Sequence, residues 1–344
     1  MNKFDAVVIG DANIDLVVVG CNQIPLPGQE IFVEDMLMHV GGGAALFTIS
    51  LAKLGLHVAF NGVLGDDGYG HYIREQFGQY GIDTSLILTS PTSRTGITIA
   101  INPEQDRSFI TYAGSNAEMQ VSELDLAQVA SGRHVHVTGY RGRRNHDEFV
   151  AMAKKLKEMG VTLSCDVGWD DTGEWYSGVF ELMRYVDVFL MNETEAHHYT
   201  GFEHIDDSLS YMSGFCKHVV IKLGPQGAVA MKNGLQTSCP GFSVKALDTT
   251  GAGDSFNAGY MYGFLTGLNV ETCLLYGNVC GAMSVGAYGG STGTRIGKGW
   301  KLLLGKIKNT DLTILRWYNE GLSLFLQHHS TEFANTFSVT NSDI

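Results

Sequence analysis

Two carboxylates flank a glycine-rich turn in the stretch DTTGAGD, which runs from Asp248 to Asp254. An apolar, glycine-spaced run follows directly, so the turn is expected at the start of a helix. Glycines permit backbone conformations that point successive N–H groups at one place, and the helix macrodipole adds partial positive charge there. The segment Gly251–Gly253 therefore predicts an anion hole for a phosphoryl oxygen, or for the charge that develops during its transfer.

Asp254 would lie in the first turn of that helix, where the dipole favours the ionised carboxylate. The result is a weak base, which is sufficient for phosphoryl transfer because the transition state is loose and the base mainly orients the hydroxyl. The alternative is a plain helix cap, in which Asp254 satisfies backbone amides and has no chemical role.

Two other nucleotide-binding motifs can be tested directly. The pattern G-x-x-x-x-G-K-[ST] is absent from the sequence, which excludes a P-loop of that form. The pattern G-x-G-x-x-G fails as well, because GAGDSF lacks the third glycine and GGGAAL has Leu46 in its place. A hydride-transferring dinucleotide enzyme is therefore disfavoured.

Composition limits the class of partner and the compartment. The 344 residues are 44% hydrophobic and 17% charged, with a net charge of −13, which disfavours a nucleic-acid surface but not a small nucleotide. The six cysteines form no C-x-x-C pair, which is typical of reduced thiols and predicts a cytoplasmic protein. Every long apolar run is interrupted by glycine or charge, so no membrane span is predicted.

Short apolar runs alternate with segments of helical period along most of the chain. Strands are predicted at 6–10, 57–65, 134–139, 161–168, 186–192 and 218–224. Helices are predicted at 43–53, 69–80, 146–159 and 194–200, and from Asp254 onward. This alternation predicts an α/β fold with a mainly parallel sheet, whose ligands lie beyond the carboxyl ends of the strands.

Two segments break the alternation, at about 16–40 and 95–113, because strand-like stretches there lack following helices. They predict a small antiparallel β lid inserted into the main domain, with a hairpin turning at NPEQDR. The main domain is expected to span 1–308. Residues 309–344 are expected to form a helical and then flexible tail.

The motifs, taken in order, identify the chain as a member of the ribokinase-like (PfkB) family of sugar and nucleoside kinases. The resemblance covers about residues 5 to 300 and implies a ribokinase-like three-layer sandwich. It is carried by GDANID, GGGAALFTISLAKLG, GVLGDDGYG, NETE, IKLGPQGA, DTTGAGDSFNAGYM and NVCGAMSVGAYGG. It implies an ATP-dependent enzyme that uses magnesium and phosphorylates a hydroxyl of a small molecule.

Residue by residue, the resemblance makes Asp254 the catalytic base and Gly251, Ala252 and Gly253 the anion hole. It places five residues beside the nucleotide, namely Lys222, Gly224, Gly227, Thr250 and Asn278. A solvated strand-end lysine and a buried, hydrogen-bonded asparagine are the alternatives for Lys222 and Asn278.

The resemblance also implies two cation sites. Asn192 and Glu195 match the N-x-x-E motif that orders magnesium and phosphate, largely through water, although an isolated motif of this kind more often forms a helix cap. Asp248 would help bind a monovalent cation, such as potassium, together with carbonyls from about Ala287 to Ser291. Its alternative is a turn-capping aspartate.

Asn13, Asp15, Gly41 and Gly42 match positions that hold the sugar. Side chains two apart on an extended segment share a face, so Asn13 and Asp15 could both point into one site. An amide beside a carboxylate can donate to and accept from neighbouring hydroxyls.

The chain departs from its relatives where Leu46 replaces a common asparagine and Gly43 replaces a polar residue, so a hydroxyl contact is expected to be missing. Arg141, Arg143 and Arg144 follow a strand end and could pair with an anionic acceptor. A solvated helix entrance is the more common role of such a cluster, and packing is the more common role of nearby Trp169.

The sequence thus predicts an ATP-dependent kinase acting on a sugar, sugar acid or nucleoside. The alternative is a non-catalytic sugar or nucleotide sensor on the same fold, which would not need Asp254 as a base. In relatives the lids often pair, so a homodimer through the lid is also predicted.

Overall fold

The computed structural model describes residues 2–21, 24–101, 108–287 and 289–290. The predicted tail at 309–344 and the predicted turn NPEQDR lie outside these ranges. Among the described helices, none combines the length and the apolar character that a membrane crossing requires.

An eight-stranded sheet forms the centre of the molecule. Its spatial order is β14 (Leu235–Pro240), β13 (Gly227–Lys232), β12 (His218–Lys222), β11 (Val188–Asn192), β10 (Thr162–Asp166), β9 (His134–Val137), β1 (Ala6–Ile9) and β4 (Val58–Asn61). The six strands from β12 to β4 are parallel, and β13 and β14 add an antiparallel edge. The strands predicted from apolar runs are all present.

Helices cover both faces of this sheet, which explains why its parallel strands are buried on both sides. The helices are α1 (Gly43–Lys53), α2 (Gly68–Gln79), α3 (Leu126–Val129), α4 (His146–Glu158), α5 (Val179–Met183), α6 (Glu193–Thr200), α7 (Ile205–Ser213), α8 (Ala252–Leu265) and α9 (Val270–Ser284). One core contains α1, α2, α8 and α9, and the other contains α3 to α7. The fold is therefore the predicted three-layer α/β sandwich.

A separate four-stranded sheet, the lid, has the order β3 (Asp35–Gly41), β2 (Asn13–Val19), β7 (Gly96–Ile101), β8 (Ser108–Tyr112). It comes from the two predicted segments. The outer pairs are antiparallel, whereas the central pair of β2 with β7 is parallel, because these strands belong to different hairpins. A two-stranded parallel sheet, β5 (Val63–Gly65) with β6 (Leu88–Ser90), lies beside it in sequence.

The register of the lid places a set of polar side chains on one face. The inner lid face carries Asn13, Asp15, His39, Thr98 and Thr111, and the apolar Val17, Leu37, Ala100 and Phe109 lie further along the same face. The outer lid face consists of Met36, Met38, Ile99, Ile110 and Tyr112. The inner face carries the buried polar groups Asn13 and Asp15, which can bind a polar ligand.

Candidate functional site

The glycine turn begins α8 as the sequence predicts. Gly251 caps the helix with φ of 70°, a left-handed conformation that favours glycine. Ser255 N donates the first helical bond to Gly251 O at 2.9 Å, while Ala252 N donates to Thr249 O at 3.3 Å. The amides of Gly253 and Asp254 lie in the first turn, where a helix leaves N–H groups available to an anion.

Asp254 is half-buried at the start of α8 and lies against the start of α1. A methyl group added at Gly43 would lie 3.1 Å from Asp254 Oδ1. Burial, followed by the nearby carboxylate of Asp166, raises the pKa of Asp254 to about 8. Burial therefore has a larger effect on the pKa of Asp254 than the helix dipole has, contrary to the expectation from the sequence. Asp254 is a stronger base than the sequence suggests.

Lys222 is held in a buried polar group that sequence reasoning missed. Its Nζ donates to Asp166 Oδ2 at 2.7 Å, and Asn257 Nδ2 donates to the same oxygen. Burial opposes ionisation of Asp166, but Lys222 and Asn257 outweigh it and lower the pKa of Asp166. A methyl group at Gly253 would lie 3.4 Å from Lys222 Nζ, so the ammonium adjoins the turn.

Asn192 and Glu195 form a reciprocal capping box at the start of α6. Asn192 Oδ1 accepts from Glu195 N, and Glu195 Oε2 accepts from Asn192 N, both at 2.8 Å. Burial and the charge of Asp166 raise the pKa of Glu195 to about 7. The capping role is thus present, and a cation near Glu195 would relieve the repulsion between the two carboxylates.

Asp248 is buried and joins two backbone segments. Its Oδ1 accepts from Thr250 N at 2.9 Å, and its Oδ2 accepts from Gly289 N at 3.0 Å. His39 of the inner lid face packs on this junction, since a Cβ at Gly289 would lie 2.4 Å from His39 Cγ. Asp248 therefore ties the glycine turn to the segment after α9, within which Tyr288 and Ser291 lie outside the described residues.

Asn13 and Asp15 share the inner lid face, as their spacing predicts. Asn13 Nδ2 donates to Asp15 Oδ1 at 2.8 Å and to Thr98 Oγ1 at 3.2 Å. Burial raises the pKa of Asp15 to about 7, with Asn13 acting against the shift and Asp11 adding to it. A Cβ at Gly41 would lie 2.1 Å from Asp15 Cγ, so only glycine leaves room for this carboxylate.

Asp11 is a further residue that sequence reasoning missed. It follows β1 and caps α1 from a distance, accepting from Gly43 N at 3.2 Å and Ala44 N at 3.3 Å. Gly42, with φ of 95°, would place a Cβ 2.7 Å from Asp11 O. A carboxylate at the carboxyl end of a buried strand, or just beyond it, is the signal that points to Asp166 and to Asp11.

Leu46 occupies the space between α1 and the glycine turn. It is buried, and a Cβ at Gly251 or at Gly290 would lie 2.8 or 2.7 Å from its Cδ1. The residue that replaces the asparagine of relatives therefore has a packing role against the turn.

The predicted nucleotide residues lie around the end of β12 and the edge hairpin. Gly227 has φ of 103°, and a Cβ there would lie 2.1 Å from Cys239 O, so glycine is required for packing as well. Asn278 is buried and donates to Cys239 O at 3.1 Å and to Pro240 O at 3.0 Å. Gly224, with φ of 56°, has open space around its backbone.

The arginines after β9 contact a neighbouring loop. Arg143 pairs with Glu174, and Arg144 Nη1 lies 3.3 Å from Asp171 Oδ2. Arg141 is exposed and begins the short turn that leads into α4. Trp169, which is 65% exposed, meets Trp175 edge to face at 5.1 Å.

A comparison with protein families matches residues 3–296 to the pfkB family carbohydrate kinases. The chain is similar to an ATP-dependent ribose-1-phosphate kinase of Halopiger xanaduensis, with 29% identity over 283 residues that cover 81% of this chain and 91% of the relative. It is also similar to a 5-dehydro-2-deoxygluconokinase of Lacticaseibacillus casei, with 30% identity over 303 residues that cover 82% and 90%.

Two solved structures have the same fold as this chain. Arabidopsis thaliana ribokinase complexed with ribose and ATP matches with a TM-score of 0.74 and 26% identity, covering 84% of this chain and 94% of that chain. A putative ribokinase II of E. coli, in complex with ATP and Mg²⁺, matches with a TM-score of 0.74 at 21% identity and coverages of 84% and 95%.

Proposed function

The chain belongs to the pfkB family of carbohydrate kinases, and on that premise we propose that it transfers the γ-phosphate of ATP to a hydroxyl of a sugar, sugar acid or nucleoside. Asp254 is the base in this proposal, and the Gly251–Gly253 turn is the anion hole. The observation that carries the assignment is the convergence of Asp254, the amides at the mouth of α8 and the Lys222 ammonium at one end of the sheet.

The roles divide between two sides of the turn. On the nucleotide side, Lys222, Gly224, Gly227, Thr250 and Asn278 bind ATP. On the acceptor side, Asn13, Asp15, Gly41, Gly42 and Arg141 bind the alcohol. Asp254 orients the acceptor hydroxyl and takes its proton as the phosphoryl group transfers, while Gly253 and Asp254 amides stabilise the developing charge.

The donor chemistry near α6 fits magnesium. Burial, followed by the negative charge of Asp166, raises the pKa of Glu195, so a cation here would stabilise its carboxylate. Asn192 and Glu195 would hold the ion largely through water, since the capping box engages Asn192 Oδ1 and Glu195 Oε2. When bound, magnesium would offset the negative charge of the phosphate groups.

Asp248 is proposed to bind a monovalent cation such as potassium. It is a buried carboxylate at the junction that supports the glycine turn. Initial rates in potassium chloride and in tetramethylammonium chloride at equal ionic strength test this, and lower rates in the second salt are expected. Equal rates would exclude a catalytic role for potassium.

The remaining proposals concern organisation. A single kinase domain spans 1–308 with the lid inserted at about 16–40 and 95–113, and 309–344 form a tail. The outer lid face supports a homodimer.

The decisive experiment is Asp254→Asn. The variant is expected to lose turnover by about 10²–10⁴-fold, the range for a positioned general base. ADP release over a panel of sugars, sugar acids and nucleosides measures turnover, and calorimetric titration is expected to show nearly unchanged ATP affinity. Asp147→Asn, at an exposed first-turn aspartate of α4, is the matched control with full activity. Full activity of Asp254→Asn would refute the assignment.

A further inference from the structure

A chain of polar side chains runs between β9 and β10, on the face of the sheet that α8 covers. Thr162 Oγ1 lies 2.9 Å from His134 Nδ1, and His134 Nε2 lies 2.7 Å from Ser164 Oγ. The same hydroxyl lies 2.7 Å from His136 Nδ1. Both imidazoles and the serine are fully buried, which is costly for polar groups unless hydrogen bonds satisfy them. The proposed reaction uses none of these side chains.

The chain ends at a nitrogen of His136. Burial keeps both imidazoles neutral, because it lowers the pKa of His136 to about 3 and that of His134 well below its ordinary value. A neutral imidazole has one donor and one acceptor nitrogen, so each ring needs a partner on both sides. Among the described residues, no group forms a hydrogen bond with the buried Nε2 of His136.

A second buried atom in need of a partner belongs to Asn257 of α8. Its Nδ2 donates to Asp166 Oδ2, and the reversed amide would turn an oxygen toward that carboxylate. Oδ1 of Asn257 therefore faces away from the carboxylate, and within the part of the chain that the structure describes it accepts no hydrogen bond. Asn257 is 1% exposed, so an unsatisfied amide oxygen there would cost the desolvation free energy of that group.

The two atoms belong to neighbouring parts of the interior. Ser164 and Asp166 are two apart on β10, so their side chains share a face of the sheet. His136 bonds to the first, and Asn257 bonds to the second. After burial, the charge of Asp166 is the next influence on the pKa of His136. Phe47 of α1 stacks on the imidazole, with ring centroids 3.8 Å apart, and this contact fixes the plane of the ring.

We propose that one buried water molecule joins His136 Nε2 to Asn257 Oδ1, and that His136 is thereby a positioning residue for the Lys222 ammonium. Water suits this place because it can donate to both atoms, or accept from the imidazole and donate to the amide oxygen. The bridge fixes the Asn257 amide and with it Asp166 Oδ2, the oxygen that Lys222 Nζ contacts at 2.7 Å. The inference rests on the proposed function, in which Lys222 binds ATP.

A high-resolution crystal structure of the ligand-free protein tests the water site directly. A density peak within about 3.2 Å of both His136 Nε2 and Asn257 Oδ1 is expected. Direct contact between the two side chains, or no peak between them, would overturn the proposal. This readout does not depend on catalysis.

His136→Phe tests the positioning role, because it keeps a ring against Phe47 and removes both nitrogens. It is expected to weaken ATP binding about 3–10-fold in calorimetric titration, the effect of one lost hydrogen bond. The KM for ATP is expected to rise by the same factor, with the KM for the acceptor unchanged. His136→Gln, whose amide can both donate and accept, is expected to recover most of the ATP affinity.

His218→Phe is the matched control. His218 is a buried imidazole on β12, and its Nε2 bonds to Tyr260 OH of α8 instead of to the chain. The variant is expected to lower Tm, as His136→Phe does, but to leave ATP affinity unchanged. Equal losses of ATP affinity in the two phenylalanine variants would refute the positioning role.

A double-mutant cycle tests whether His136 acts through Asn257. Asn257→Leu is expected to weaken ATP binding by itself, and adding His136→Phe is expected to cause little further loss because the bridge is already broken. Losses that multiply would contradict the proposal. Failure of the proposed function is distinguishable, because it would appear in the wild type as no ADP release with any acceptor, whereas the density peak and the ATP titrations need no turnover.

Discussion

At the scale of single residues, the most informative group is the Asp254 carboxylate. A carboxyl whose pKa in the folded protein is about 8 keeps a proton that the unfolded chain releases near its ordinary value of 3.8. The unfolded state is therefore favoured progressively as pH rises between these values. The proposed base is thus maintained at a cost in stability.

This linkage gives a prediction for the ligand-free protein. Asp254→Asn is expected to match the wild type in Tm near pH 4 and to exceed it at pH 8.5, because the amide has no proton to lose. A gain of about 1–2 kcal/mol corresponds to roughly 1–3 °C for a chain of this size. Differential scanning calorimetry at both pH values measures it. A difference that does not grow with pH would mean that the carboxylate is well hydrated.

A comparison of the glycine turn with the buried cluster of Lys222, Asp166 and Asn257 shows which part of the site could be predicted from the sequence. The start of α8 at the glycine turn, the position of Asp254 in its first turn and the shared face of Asn13 and Asp15 follow from local spacing. The bond from Asn257 to Asp166, and that of Lys222 to the same oxygen, join three distant segments. Only the order of strands in the sheet brings them together, and a single sequence does not specify that order.

At the scale of elements, the junction between β3 and α1 contains glycines because side chains of other residues occupy the space beside this backbone. A Cβ at Gly41 would overlap Asp15, whereas the space around Gly68 at the start of α2 is open. The two glycines therefore differ in whether their neighbours leave room for a side chain.

Gly41→Ala is expected to displace Asp15, raise the KM for the acceptor by about 10-fold or more, and destabilise the protein by about 1–3 kcal/mol through overpacking. Gly68→Ala is the control, and it is expected to be neutral or slightly stabilising because alanine is the better helix former. Steady-state kinetics and thermal melts measure both. Equal behaviour of the two variants would show that Asp15 can move without consequence.

The sequence predicts the individual strands and helices better than it predicts which strands pair. Apolar runs and helical periods identify the strands of the main sheet and the large helices, because burial on both faces gives a strong local signal. The two lid segments were also recognisable. The parallel contact of β2 with β7 was not, since it joins strands about 80 residues apart and leaves no local trace.

At the scale of the whole molecule, the outer lid face is an exposed apolar surface. Met36, Ile110 and Tyr112 are 54, 60 and 52% exposed on it. Contiguous apolar side chains on one face of a sheet are typical of an interaction surface. A second lid offers the same chemistry, and a two-fold arrangement would cover both.

The proposed homodimer can be tested by light scattering after size exclusion. The wild type is expected at twice the 37.4 kDa of one chain, and Ile110→Lys is expected to shift the mass toward a single chain. Leu235→Lys, at a 72% exposed residue of the edge strand β14, is the control that leaves the mass unchanged. A single-chain mass for the wild type would remove the proposal.

The interleaved origin of the lid also bears on how the chain reaches its native state. Strand β2 emerges early in synthesis, but its neighbour β7 follows only after α1, β4 and α2. The lid sheet therefore has to wait for a long loop to close, which is slow compared with local helix formation. The inner lid face is expected to be the last part to acquire protection from amide exchange during refolding, and the first to lose it.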